Sequence, residues 1–86
     1  MNLKTIAIAL IMMTTVFSNS ALASHQAYLK SGIKQYNQGK YGDAIRSFKA
    51  AIQIKESSDI AHYYLANSLM KVGKKNQSLQ EYKKAY

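Results

Sequence analysis

The chain has 86 residues, with 12 Lys or Arg against four Asp or Glu, a formal net charge of +8, and neither Cys nor Pro. That length leaves room for one small domain, near the lower limit at which a single core is stable alone. Without Cys, no disulfide can staple the fold, no thiolate can hold a metal and no lipid can be attached through sulfur, so stability has to come from packing.

At the N-terminus, Lys4 supplies a short positive segment, Ile6 to Phe17 is an uncharged and largely apolar run, and Ser20-Ala21-Leu22-Ala23 places small residues before Ser24 in an Ala-x-Ala arrangement. This pattern predicts a secretory signal peptide over residues 1–23, cut after Ala23. The apolar run of 12 residues is short of the roughly 20 needed to cross a bilayer, which argues against an uncleaved anchor. The folded domain is then expected in residues 24–86, with a net charge of +7 once Lys4 is removed. Its expected location is periplasmic or secreted.

The remaining sequence predicts four helices. The first runs from about Gln26 to Gln38 and stops at Gly39, a residue free to take the left-handed conformation that ends a helix. The second covers about Tyr41 to Lys55, with Asp43 in its first turn, where a carboxylate offsets the positive end of the helix dipole. Its apolar residues Ala44, Ile45, Phe48, Ala51 and Ile52 trace one stripe. Ser57, Ser58 and Asp59 form a linker rich in N-cap candidates. The third helix runs from about Ile60 to Val72, is apolar on more than one side, and meets a second glycine, Gly73. The fourth begins near Lys75 or Asn76 and is about one turn short of the second when it reaches Tyr86. No window sustains the alternation of a β-strand.

An offset of 34 residues superimposes the chain on itself, bringing Ala27 onto Ala61, Gly39 onto Gly73, Ile45 onto Leu79, Phe48 onto Tyr82 and Ala51 onto Ala85. A period of this length marks a stacked array of helical units. Within it the order Tyr28-x3-Gly32-x3-Tyr36, then Gly39 and Tyr41, then Ala44-x3-Phe48-x2-Ala51 resembles the tetratricopeptide repeat (TPR). The first copy spans about residues 25–58 and the second about 59–86. In the second, Ala66 stands for Gly32, Met70 for Tyr36 and Tyr82 for Phe48. Ser78 replaces the counterpart of Ala44, Lys75 that of Tyr41, and Glu56 stands where the family often has Pro. These departures are expected to weaken the second repeat as an independent unit.

The resemblance implies an all-α fold of antiparallel helix hairpins in a right-handed superhelical stack, and a role in protein–protein interaction. In that family the first helix of each repeat lines the inner groove that holds the ligand. Carried over, the partner-binding residues are Leu29, Ile33, Tyr36 and Asn37 from the first repeat, and Ile60, Tyr63, Asn67, Met70 and Lys71 from the second. This mixture of apolar, aromatic and edge polar groups suits an extended segment or amphipathic helix of another protein. Aromatic residues at helical spacing also serve as plain core packing. A clamp for a terminal carboxylate needs Lys and Asn on the first helix, where Leu29 and Ile33 stand, so it is not expected.

Lys74, Lys75, Lys83 and Lys84 cluster around the fourth helix. They suggest a competing function, adhesion to anionic lipid or cell-wall polymer, which salt would weaken. They also read as an ordinary solvated face. Nucleic acid is not an expected partner, since Arg46 alone could make a bidentate contact. Neither catalysis nor a cofactor is expected. His25 and His62 lack companions at metal-ligand spacing, His62 reads as a partly buried structural residue, and the four carboxylates fall mostly at helix ends. Finally, helical arrays usually need about three repeats to bury their faces. Leu79, Tyr82 and Tyr86 are therefore expected to meet a missing neighbour, supplied by self-association, a partner or further repeats.

Overall fold

A computed structural model describes residues 3–86 of the chain, with side chains from residue 20 onward. Four helices follow in order: α1 (Leu3–Asn37), α2 (Tyr41–Ile54), α3 (Asp59–Lys71) and α4 (Lys75–Ala85). The ends of α2, α3 and α4 fall within a residue of those expected from the sequence. α1 does not. Instead of starting near Gln26 it continues from Leu3, because Ala21 to His25 contain neither glycine nor proline and nothing there interrupts a helix already under way. Among the described residues no helix is long and apolar enough to cross a membrane.

Both hairpins turn in the same way. After α1, the Gly39 amide donates to the Tyr36 carbonyl at 3.0 Å and the Lys40 amide to Gln35 at 2.8 Å; after α3, Gly73 donates to Met70 at 3.1 Å and Lys74 to Leu69 at 2.9 Å. Every donor and acceptor in the second set lies 34 residues beyond its counterpart, so the sequence period is also a period of hydrogen bonds. Gly39 and Gly73 hold φ values of 76° and 84°. A Cβ on either would meet nothing within 4 Å, so glycine is needed there for its left-handed backbone rather than for space.

The joint between the hairpins is built differently. Ser58 caps α3 by accepting from the Ala61 amide at 3.4 Å, while Asp59 in the first turn places a carboxylate against the helix dipole. α2 lies between α1 and α3, and α1 touches α3 only lightly. The core formed by Ala44, Phe48, Leu65 and Leu69 therefore has α2 on one side and α3 on the other, with Leu29, Ile33, Tyr36, Ile45, Ile52 and Tyr64 packed around it. Phe48 stacks on Tyr64, with ring centroids 5.5 Å apart, and Tyr64 also takes the edge of Tyr36 at 5.7 Å.

Gly32 serves a different purpose from the two turn glycines. It is buried in α1, and a Cβ built on it would sit 2.6 to 2.9 Å from three carbons of the Phe48 ring. The small residue is what lets that ring lie flat against the helix backbone.

Ser78, expected to weaken the second repeat, is fully buried. Its hydroxyl donates to the Ala66 carbonyl at 2.8 Å, so the polar atom is satisfied where the first repeat has a methyl group.

Candidate functional site

The nine residues expected to bind a partner do not form one surface. Leu29, Ile33 and Tyr36 are half-buried and lean on the core. Asn37, Ile60, Tyr63, Met70 and Lys71 are exposed, and Asn67 is half-buried, accepting the Tyr82 hydroxyl proton on its side-chain oxygen. Burial raises the pKa of the Tyr82 phenol above its usual value, with Tyr63, Tyr36 and Tyr86 adding to the effect, so near neutral pH it remains the donor in that pair.

Three of the nine, Ile33, Ile60 and Tyr63, line a cleft of about 420 Å³ together with Asp59, Tyr64, Ala85 and Tyr86. Ile60 is 56% exposed and Tyr63 41%, so apolar surface is left open at its walls. Leu29 and Ile33 border a shallower groove along α1 with Ala23, Gln26, Ala27 and Lys30. Tyr36, Asn37, Asn67, Met70 and Lys71 lie outside both. Sequence reasoning omitted Ala85 and Tyr86 from the cleft. Their signal was the hairpin itself: antiparallel pairing brings the end of α4 beside the start of α3, and so beside Ile60 and Tyr63.

A second cleft, about 500 Å³, lies between α2 and the second hairpin, lined by Lys49, Ile52, Gln53, Glu56, His62, Leu65, Glu81 and Lys84. Much of its polar lining is already paired. The His62 ring is buried, with Nδ1 2.7 Å from a Glu81 carboxylate oxygen and Nε2 2.7 Å from the Glu56 carbonyl. Both partners only accept, so the two bonds form together only when both ring nitrogens carry hydrogen. Lys84 donates to the other Glu81 oxygen at 3.3 Å. His62 thus ties the linker and α4 to α3, the structural role expected of it. Replacing it by alanine removes both bonds, leaves Glu81 to Lys84 alone and empties the buried space of the ring, and a loss of about 2 kcal/mol is expected in urea unfolding.

His25 is buried as well, and its Nδ1 donates to the Ala51 carbonyl at 2.9 Å, at the C-terminal end of α2. Among the described residues no group of three or more His, Asp or Glu could hold a metal ion.

Two hairpins of one design, the second closing the core of the first, define an all-α helical-repeat protein. A family model described as TPR repeat matches residues 34–73, from the last turn of α1 to the glycine that follows α3, so over that stretch the chain is similar to the tetratricopeptide repeat. Repeats of this type are generally non-catalytic and mediate contacts between proteins. No curated protein matches the chain.

Proposed function

We propose that the protein is an exported interaction module that holds an extended segment or helix of another protein in the cleft between Ile33, Ile60 and Tyr63. The observation that carries this reading is the open apolar wall of that cleft. Ile60 and Tyr63 are large apolar groups left in solvent beside the exposed Tyr86, the kind of surface that a partner side chain covers. The leader pattern in residues 1–23 supports export, and with it a periplasmic or secreted location.

The test is a photoreactive residue at Tyr63 in living cells. It should capture one dominant protein, and Ile60→Glu should weaken that capture at least tenfold by placing a charge against the partner's apolar surface. A cleft of this kind keeps most of its affinity between low and physiological salt. Exposed Lys74, Lys75 and Lys83 favour the second reading, adhesion to anionic lipid or cell-wall polymer. Binding that ignores Ile60→Glu and collapses with salt would establish that reading instead.

A further inference from the structure

The period of 34 residues predicts what the free face of the second hairpin lacks. In the first hairpin Tyr36, Ile45 and Phe48 lie against the next helix: Phe48 stacks on Tyr64, Tyr36 meets the same ring edge-on, and Ile45 packs on the core that Leu65 and Leu69 complete. Their counterparts one period later are Met70, Leu79 and Tyr82. Met70 is 41% exposed and Leu79 46%. Tyr82 has the Tyr63 edge at 6.1 Å, but among the described residues no ring stacks over it as Tyr64 does over Phe48.

The charges around this face are of one sign. Lys75 and Lys83 stand four residues to either side of Leu79 on α4 and are therefore on its side of the helix, Lys71 and Lys74 lie near Met70, and all four are exposed. The one carboxylate of α4, Glu81, is held by His62 and Lys84. Two copies set back to back would oppose lysine with lysine. Head to tail, the leading counterparts of the α3 residues Tyr64 and Ser68 are Lys30 and Lys34, again cations. A second copy is therefore a poor occupant.

We propose that the Met70–Leu79–Tyr82 face docks an amphipathic helix of another protein, one that presents an aromatic residue to Tyr82 as Tyr64 is presented to Phe48 and carries acidic residues at its margins. This surface adjoins the Ile60 cleft through Tyr63, whose ring meets Tyr82, but Met70 and Leu79 lie outside that cleft and Ile60 belongs to it, so variants at Leu79 and Ile60 test the two surfaces independently.

The probe is a synthetic peptide of the α3 sequence, residues 59–71, flanked at both ends by glutamates, titrated into the purified protein. Binding is expected, at least tenfold weaker when the flanks are lysine, at least tenfold weaker to Leu79→Glu, and unchanged for Ile60→Glu. Leu79 is exposed, so its variant should keep the native circular dichroism. Should it unfold, chemical-shift mapping on the unaltered protein decides, with perturbation at the Leu79 methyls and the Tyr82 ring supporting the proposal and perturbation at Ile60 overturning it. Absence of binding, indifference to the flanking charge, or a dimer by light scattering that Leu79→Glu dissolves would each overturn it.

Discussion

Gly32→Ala is expected to destabilise the protein, although the same exchange in an exposed helix interior normally stabilises by about 1 kcal/mol. The sign reverses because the new methyl would stand 2.6 to 2.9 Å from the Phe48 ring. That ring is fully buried and stacked on Tyr64, so it has nowhere to go. Overpacking of this kind costs about 1–3 kcal/mol, more when the obstructing group is rigid. Allowing for the gain in helix propensity, a net loss of about 2 kcal/mol is expected, which lowers the melting temperature of so small a domain by roughly 10 °C. Thermal unfolding followed by circular dichroism measures it. The cause can be isolated: in a Phe48→Leu background the smaller side chain should absorb part of the methyl, so that the two changes together cost less than their sum. Strict additivity would mean that the strain arises elsewhere.

Phe48→Ala has the largest expected effect. Removing a fully buried phenylalanine costs about 3–5 kcal/mol, and a core of this size rarely supplies more than about 3–5 kcal/mol in total. The variant should be largely unfolded at 25 °C, with far-ultraviolet circular dichroism showing the loss of helix. The period makes Tyr82 its partner in the second repeat, yet Tyr82→Ala should cost about half as much. The Tyr82 ring is half-buried, and the surface it removes from water is correspondingly smaller. A loss of helix at 25 °C as complete in Tyr82→Ala as in Phe48→Ala would show that the two hairpins have equivalent surroundings, contrary to the single core shared by α2 and α3.

Much of this architecture was legible in the sequence, and the reasons are local. Gly39 and Gly73 mark the turns because only glycine takes a left-handed backbone without strain, and Ser58 marks the start of α3 because its hydroxyl can stand in for a missing acceptor. The buried stripe of Ala44, Phe48 and Ala51 follows from helical spacing. Other features depend on what lies next door. Ile33 and Asn67 occupy equivalent places in the repeat, as do Tyr36 and Met70, but the first repeat is covered by the second while the second is open. A translation in sequence therefore does not carry over to burial, which is why the expected binding residues divide between the core, the cleft and open surface. The bonds of His25 to Ala51 and of His62 to Glu81 and Glu56 span 26, 19 and 6 residues, and no short-range pattern announces them. The early start of α1 at Leu3 is not announced for a further reason: a segment with the pattern of a targeting signal also forms helix readily, and nothing separates the two roles in the residues themselves.

The contact between His25 and Ala51 sets a boundary on the chain. It fastens the outer end of the first hairpin only two positions beyond Ala23, so a cut there, as the leader pattern would have it, would fall almost beside the knot that holds the hairpin shut. Trimming that stops at Ser24 leaves the knot tied. Removal of Ser24 and His25 as well would free the last turn of α2 and let the first repeat fray from its outer end, so this module has almost no slack in where its working sequence begins.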